Sequence, residues 1–468
     1  MDSGVAYLGG LLWLPRERFD VNILKVSLTF TPIHTFHKGQ PKPIKAWADK
    51  PHHIGVPIYT LGDIYSPKFK QIFKDMGVPL RDLRPKSWEN FPVVSRVVLD
   101  AIEGGDTQKR AVDALLENES GILVLACGKG KTVISLHAAA QFQAPFVIAV
   151  PDKGVAHQWM EEIERHLIMP NGRPPEVGLV GEGKKQWDRP IVIGIINSLA
   201  QLASTLDPKI RRRFAVSIWD ECDMLGAPEF GKAAPLFFGR RWGLSATPER
   251  EDGLESLYYL HIGKPILIDL RQQMKPMFYF YRVKSRINTE DPTFKAYVAP
   301  AGIIETSNLF TYLAGIRERT EEIASLVRKA MEAGRKILVL SRRRFMLDQL
   351  AELLPEAGVV HGDVKGQLRV DRIKNSDVLL AQLRLGFRAL DKQELDMLIV
   401  CEPIKREAIF QQIVGRLLRV RQGKPTPIVI FVEDQIGKCI GMCRRLKRMI
   451  ETWPEEKGGP FGKWRVME

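Results

Sequence analysis

The feature that most constrains this chain is an apolar run, Gly121 to Leu125, that leads into a glycine-rich loop and then into helix-forming sequence from Val133 to Ala140. The run is typical of a buried strand. A loop between such a strand and a helix directs backbone N–H groups and a helix N-terminus at one point, which suits a bound phosphate. The sequence therefore predicts a parallel α/β fold with a phosphate site after this strand.

The loop has the side chains that nucleotide binding needs. Two glycines allow the backbone to approach a phosphate closely, Lys131 can reach the β- and γ-phosphates, and the Thr132 hydroxyl can bind Mg²⁺. The pattern departs from G-x-x-x-x-G-K-T, because Leu125 stands at the first glycine. The predicted nucleotide contacts in the loop are Gly128, Lys129, Gly130, Lys131 and Thr132.

A second half-site follows the strand-like run that ends at Trp219. Asp220 and Glu221 come next, and the carboxyl ends of strands are where open α/β sheets bind ligands. We expect Asp220 to hold Mg²⁺ and Glu221 to orient and deprotonate the attacking water. Paired acids after a strand are also common as solvated turn residues. The catalytic interpretation of Asp220 and Glu221 therefore depends on the presence of the predicted phosphate loop.

Two further segments, residues 243–248 and 412–419, complete a series of four. In this order the segments resemble motifs I, II, III and VI of superfamily 2 helicases. The resemblance implies two RecA-like doubly wound parallel-sheet lobes in tandem, ATP and Mg²⁺ as cofactors, and ATP hydrolysis. Arg416 and Arg419, three residues apart on one helix face, would stabilise transition-state charge.

The resemblance also implies further nucleotide contacts, on segments that match the family less specifically. Gln108 matches the glutamine that reads adenine, Gln412 opens the motif VI segment, and Asp391 occupies the acidic position of motif V. Motif V departs from the family, because Gln382 stands where threonine is usual and Ala389 where glycine is usual. These two changes affect the expected nucleic-acid contacts and leave the predicted ATP site intact.

Nucleic-acid contacts are expected on residues 146–159, which resemble motif Ia, and on residues 193–199, which resemble the strand-to-serine segment after it. A third set is expected after the strand that carries Ser341, where the family has motif IV. Ordinary buried strands with loops would give similar patterns, and the arginine runs 211–213 and 342–344 are equally typical of solvated faces. Trp159, next to one of these positions, is a candidate for stacking on a base. The predicted nucleic-acid contacts are Pro151, Gln158, Asn197, Ser198, Ser341 and Arg342.

Composition agrees with a nucleic-acid partner. The formal charge is +14 and the pI about 9.5, which favours polyanions without showing sequence reading. The five cysteines form neither a metal-ligand pattern nor a disulfide pattern. No apolar stretch approaches the roughly 18 residues of a membrane span. We expect a cytoplasmic protein of a bacterium or phage-infected host, monomeric and without a membrane partner.

The motifs define four expected regions. Residues 1–95 carry no motif and are expected to be an accessory domain that binds DNA, residues 96–268 the first lobe, residues 269–435 the second lobe, and residues 436–468 a basic helical tail. The motif spelling is similar to DNA-repair and branch-migration helicases, including bacteriophage enzymes of the UvsW kind. The leading hypothesis is an ATP-dependent motor on single-stranded, forked or branched duplex DNA. An RNA helicase or an ATP-regulated nucleic-acid clamp are the alternatives.

Overall fold

The computed structural model describes most of the chain, and its division into units is clear. Residues 1–125 with 129–269 form one compact unit, and residues 126–128 with 270–468 form the other. No helix among the described residues is long and apolar enough to cross a membrane. The described residues are 1–33, 42–99, 106–247, 249–250, 252–271, 274–285, 287–300, 302–364, 366–383, 392, 394–418, 423–453, 459 and 461–468.

The first unit begins with a five-stranded sheet in the order β5-β6-β2-β1-β7, antiparallel except for the β1–β7 pair. Helix α1 begins after Asp20, whose carboxylate accepts two backbone N–H groups, and α2 begins after Ser66 with proline at its first position. The elements are β1 (Ala6–Leu8), β2 (Leu12–Pro15), α1 (Val21–Ser27), β3 (Thr29–Phe30), β4 (Ile44–Lys45), β5 (Ala48–Asp49), β6 (His53–Val56), α2 (Pro67–Asp75) and β7 (Leu80–Asp82).

This N-terminal sheet shares its core with the sequence that follows. Leu254 and Leu257 belong to the same buried cluster as the apolar residues of the sheet. The fully buried guanidinium of Arg241 donates hydrogen bonds of 2.8 Å to the carbonyls of Gly10 and His261, and burial lowers the pKa of Arg241 to about 10. The region expected to be an accessory domain is therefore packed into the first compact unit.

The first lobe is an eight-stranded sheet in the order β13-β12-β14-β10-β15-β16-β9-β17, parallel except at β13. Its central strands are continuous apolar runs because helices cover both faces of a parallel sheet. The strands are β8 (Val94–Ser95), β9 (Ser120–Leu125), β10 (Phe146–Val150), β11 (Leu167–Ile168), β12 (Val177–Gly181), β13 (Lys184–Lys185), β14 (Ile191–Ile195), β15 (Val216–Asp220), β16 (Arg240–Ser245) and β17 (Pro265–Asp269).

Helices alternate with these strands as the sequence predicts. Strands β8 and β11 pair with each other outside the main sheet, and a short 3₁₀ helix, Cys222–Gly226, follows β15. The helices are α3 (Thr107–Glu117), α4 (Lys131–Ala140), α5 (Lys153–His166), α6 (Ile196–Gln201), α7 (Pro208–Arg213), α8 (Pro228–Gly231) and α9 (Glu255–Ile262).

The second lobe is a seven-stranded, fully parallel sheet in the order β20-β21-β19-β22-β23-β18-β24. Its elements are β18 (Met277–Arg282), α10 (Pro292–Val298), α11 (Thr306–Ala314), α12 (Arg317–Glu332), β19 (Ile337–Ser341), α13 (Arg344–Leu353), β20 (Gly358–Val360), α14 (Gly366–Asn375), β21 (Val378–Gln382), β22 (Met397–Val400), α15 (Glu407–Leu417), β23 (Ile428–Glu433), α16 (Gly437–Glu451) and β24 (Trp464–Met467).

The two parallel sheets confirm the predicted fold class, and the C-terminal segment differs from the expected tail. Helix α16 buries Cys443, Leu446 and Ile450 in the core of the second lobe. Strand β24 then pairs with β18 at the edge of the sheet. Arg444, Arg445 and Arg448 thus lie on the exposed face of an amphipathic helix that the lobe needs for its core, whereas Lys447 is half-buried and pairs with Glu433.

Candidate functional site

The phosphate loop lies between β9 and α4, as predicted. Gly128 has φ 86° and Gly130 has φ 82°, both in the left-handed region that favours glycine. The ammonium of Lys131, the first residue of α4, donates a 2.8 Å hydrogen bond to the carbonyl of Leu125 at the end of β9. Lys131 is therefore held at the mouth of the loop, where a phosphate oxygen can replace the carbonyl as its acceptor.

The predicted adenine-reading helix is packed against this loop. A Cβ added to Gly130 would lie 2.8 Å from Nε2 of Gln108, so the two residues are neighbours, and the φ of Gly130 is what favours glycine there. Thr107, beside Gln108 at the start of α3, donates a 2.9 Å hydrogen bond to Oδ2 of Asp269. The other carboxylate oxygen of Asp269 lies 2.7 Å from Nζ of Lys129, and this ion pair is almost fully buried.

Asp269 was not predicted from the sequence as a site residue. It ends the edge strand β17, far along the chain from both of its partners, and no motif marks it. Because it joins Lys129 of the phosphate loop to Thr107 of α3, it fixes the phosphate side and the adenine side of the predicted site relative to each other. Lys129, which was predicted to contact the nucleotide, forms this ion pair with Asp269 in the structure.

The two acids lie at the carboxyl end of β15, as the sequence predicts. Oδ2 of Asp220 accepts a 2.9 Å hydrogen bond from the indole N–H of Trp159, and Oδ1 accepts one of 3.1 Å from the backbone N–H of Glu221. Burial raises the pKa of the Asp220 carboxyl, while the Trp159 hydrogen bond and the nearby charge of Lys131 oppose the increase. Lys131 and Asp220 are therefore close enough to interact electrostatically.

Glu221 has an unusual backbone. It lies in the left-handed region at φ 51° and ψ 51°, where the described part of the chain places only two other non-glycine residues, Gln143 and Glu182. Such a conformation costs on the order of 1–2 kcal/mol, and strain of this kind is often concentrated at functional sites. The chain therefore turns sharply directly after Asp220, the last residue of β15.

The segment predicted as motif III contacts the residues that follow β15. The backbone N–H of Thr247 donates a 3.0 Å hydrogen bond to Ser245 Oγ, which lies 3.5 Å from Oδ1 of Asp223. Burial raises the pKa of Asp223 to about 6, and the positive charge of Arg250 opposes the increase. Pro248, the last residue of the predicted motif, is outside the described residues.

The oxygen atoms at the site fit Mg²⁺ that is held jointly by protein and nucleotide. Thr132, in the first turn of α4, offers a hydroxyl, and Asp220 offers a carboxylate. Mg²⁺ commonly takes one or two protein oxygens together with substrate phosphates and water. Throughout the described ranges, no group of three or more His, Cys, Asp or Glu side chains is arranged to hold a metal. The two residues therefore suit a cation shared with phosphates.

The structure describes only some of the residues predicted from motifs V and VI. Gln412 and Arg416 lie on α15, and the side chain of Arg416 is outside the described part of the structure. Arg419 and Asp391 are both outside the described residues. The helical position of Gln412 and Arg416 agrees with the predicted helix, and the roles of all four residues remain predictions.

The predicted nucleic-acid contacts of the first lobe lie at strand ends and on the helices that follow. Pro151 follows β10, and Gln158 lies on α5 half-buried. Asn197 and Ser198 occupy the first turns of α6, where Asn197 is exposed. Each of these residues is at or near the surface, and their contacts with nucleic acid remain predictions.

Ser341 does not have the surface position that the prediction requires. Its hydroxyl is fully buried and donates a 2.7 Å hydrogen bond to Oε1 of Glu402, while Oε2 accepts one of 2.9 Å from the backbone N–H of Arg342. The Ser341 side chain therefore fixes the end of β19 and is not available to nucleic acid in this conformation. Arg342 is half-buried, with its guanidinium 5.5 Å from the ring centre of Phe310.

The proposed base-stacking role of Trp159 is also wrong for this conformation. The side chain is 1% exposed and lies in the core of the first lobe. Arg211 and Arg213, from another candidate surface, donate hydrogen bonds to backbone carbonyls, including a 2.6 Å bond from Arg211 to Ala203. These side chains serve local structure.

Comparisons with known proteins agree with this geometry. Residues 101–250 match the family model described as the type III restriction enzyme res subunit, and this range contains Gln108, the phosphate loop, Asp220 and Glu221. A putative ATP-dependent RNA helicase, L396 of Acanthamoeba polyphaga mimivirus, is 26% identical over 88% of this chain and 77% of its own. These matches support an ATP-hydrolysing helicase enzyme.

Two other relatives match a smaller part of this chain than the mimivirus protein does. The probable helicase D10 of Escherichia phage T5 is 26% identical over 65% of each chain. The DNA 3'-5' translocase XPB2 of Sulfurisphaera tokodaii is 30% identical over 43% of this chain and 47% of its own, so this chain spans about half of that relative. A solved structure of Mss116p, with its NTE and C-tail deleted and with ssRNA and AMP-PNP bound, covers 78% of this chain and 74% of its own at 13% identity, with a TM-score of 0.53. That likeness concerns the fold.

Proposed function

We propose that this chain is an ATP-dependent DNA helicase or translocase of superfamily 2 that unwinds or branch-migrates DNA in recombination, repair or replication. The observation that carries the proposal is the arrangement of Lys131, Asp220 and Glu221 at the carboxyl edge of one parallel sheet. The proposal includes a monomer in the cytoplasm of a bacterium or phage-infected host, with single-stranded, forked or branched DNA as its partner.

The residues of this edge suit ATP hydrolysis. Lys131 exchanges the carbonyl of Leu125 for the β- and γ-phosphates, and the loop N–H groups bind phosphate oxygens. Asp220 and Thr132 would hold Mg²⁺, which would neutralise charge on the phosphates. Glu221 orients the attacking water and accepts its proton, and Arg416 and Arg419 stabilise the charge of the transition state.

The names of relatives support DNA as the first choice of substrate. The relative from Sulfurisphaera tokodaii is named a DNA 3'-5' translocase, and a relative from Kineococcus radiotolerans, 27% identical over 63% of this chain, is named a DNA 3'-5' helicase. The mimivirus relative, named an RNA helicase, keeps RNA as the second candidate. An ATP-regulated clamp is less well supported, because Lys131 and Glu221 retain the groups that hydrolysis needs.

The N-terminal sheet offers a second surface for branched DNA. Lys50 is exposed directly after β5 of this sheet, and its ammonium lies 4.3 Å from the ring centre of Trp13. Lys42 and Lys45 are exposed just before and on β4, which pairs with β3 in a separate two-stranded sheet. A motor core follows one backbone path, so recognition of a junction needs another basic surface. We propose that these lysines bind a duplex arm.

The experiment compares ATPase stimulation and strand separation on single-stranded DNA, duplex, forked and four-way DNA, and RNA. We expect DNA to stimulate hydrolysis, with the largest unwinding rates on branched substrates. Stimulation by RNA alone would support the RNA candidate, and nucleic-acid binding without hydrolysis would support the clamp.

The N-terminal surface is tested by the triple charge reversal of Lys42, Lys45 and Lys50 to Glu. This change leaves the shared core intact, whereas deletion of residues 1–95 would expose Leu254 and Leu257. The variant should lose affinity for forked DNA more than for single strands. Equal losses on both substrates would remove the N-terminal surface from the proposal.

A further inference from the structure

The buried indole of Trp159 donates a hydrogen bond to the carboxylate of Asp220. Trp159 lies on α5, 1% exposed, and its Nε1–H donates a 2.9 Å hydrogen bond to Oδ2 of Asp220. Its chain position is 61 residues before Asp220, so the bond joins two separate segments of the lobe. A buried indole N–H needs a polar partner, and here the partner is the proposed Mg²⁺ ligand.

The bond fixes how the carboxylate is turned. One oxygen of Asp220 accepts the indole N–H and the other accepts the backbone N–H of Glu221. A carboxylate with one donor on each oxygen cannot rotate freely, and each oxygen retains a lone pair for a further ligand. The rigid ring is itself packed in the core of the lobe, so the donor is fixed as well as the acceptor.

Helix α5 also carries a residue with a separate predicted role. Gln158, the neighbour of Trp159, is half-buried and is a predicted nucleic-acid contact. Successive residues of a helix point about 100° apart, so one helix can present Gln158 toward the surface while Trp159 faces the core. A displacement of α5 would therefore move the donor of the Asp220 hydrogen bond.

We propose that Trp159 is a positioning residue whose indole N–H orients the Asp220 carboxylate for the Mg²⁺–nucleotide complex, and through which α5 couples nucleic-acid binding to hydrolysis. The inference rests on the proposed function, because it takes Asp220 as the Mg²⁺ ligand. It assigns to Trp159 neither contact with a base nor contact with the nucleotide.

The test uses Trp159→Phe, which keeps a buried aromatic ring and removes the N–H. Trp219→Phe is the matched control, because Trp219 is also 1% exposed and its Nε1–H donates a 3.1 Å bond to Ser217 Oγ, away from the carboxylate. Binding of a fluorescent ADP analogue is titrated at rising Mg²⁺ and again in EDTA. ATP turnover is measured with and without single-stranded DNA.

We expect Trp159→Phe to need about tenfold more Mg²⁺ for the same ADP binding, the usual scale for loss of a residue that orients a metal ligand. Binding in EDTA should stay unchanged, and the stimulation of turnover by DNA should fall. Trp219→Phe should match the wild type in every measurement. Equal Mg²⁺ dependence in both variants, or full DNA stimulation in Trp159→Phe, would overturn the inference.

Two controls keep this result separate from other failures. If the wild type does not hydrolyse ATP with any nucleic acid, the proposed function fails. If the wild type and both variants hydrolyse ATP equally, only the role of Trp159 fails. Should Trp159→Phe not fold, benzothienylalanine at position 159 keeps the shape of the side chain and replaces the N–H with sulfur, and the same outcomes then apply.

Discussion

Removal of the Asp269 carboxylate should destabilise the first unit more than an ordinary surface change. In Asp269→Ala, Lys129 loses an ion-pair partner at 2.7 Å, and Thr107 loses its 2.9 Å acceptor. Both ion-pair side chains are over nine-tenths buried, so solvent screening is weak. Loss of one partner from a buried ion pair costs about 3–5 kcal/mol in the free energy of unfolding.

This loss of unfolding free energy should appear as a measurable decrease in the Tm of Asp269→Ala. For a unit of this size, 1 kcal/mol corresponds to about 2–4 °C in Tm, so Asp269→Ala should unfold roughly 6–20 °C earlier. Seven of the nine tryptophans lie in the first unit, so tryptophan fluorescence during heating reports mainly its unfolding. The measurement needs no ligand.

A double variant tests the physical reason. If the cost comes from a buried charge without its counterion, Lys129→Met combined with Asp269→Leu should recover most of the lost Tm, because apolar residues of similar volume often replace a buried pair without loss. A shift below about 2 °C in Asp269→Ala would refute the reasoning, on the same size scaling. The same conclusion would follow from a double variant no more stable than the single one.

The remaining predictions concern the reaction and nucleic-acid binding. Lys131→Ala should reduce ATP turnover to background while DNA affinity, measured by fluorescence anisotropy, stays within a few fold; unchanged turnover would remove the motor hypothesis. Glu221→Gln should lower single-turnover hydrolysis by roughly two or more orders of magnitude, the scale of a lost general base, with ATP binding retained. Loss of ATP binding in that variant would contradict the separate roles of the two acids. DNA affinity should fall steeply as salt rises, since Lys and Arg contacts release counterions, and a log–log slope near zero would exclude a basic binding surface.

The sequence predicted the local elements of the site well. Apolar runs gave strands β9 and β15 within a few residues, because strands of a buried parallel sheet are continuously apolar. The loop residues Gly128 and Gly130 lie in left-handed backbone, which a side chain would strain. The order of the four motifs indicated two lobes, and the structure has two parallel sheets.

Only the tertiary structure decided which distant residues support that site. Ser341 ends strand β19, as a surface contact could, yet its hydroxyl is buried and donates a hydrogen bond to Glu402. Trp159 donates to Asp220 from within the core. Asp269 joins Lys129 to Thr107 across the end of an edge strand. The pattern of apolar and polar residues in a segment predicts which of its own side chains are buried. These contacts, in contrast, depend on which strands become neighbours in the sheet. The sequence by itself determined the loop, the acids and the alternation of strands and helices; the order of the strands determined the residues that hold them in place.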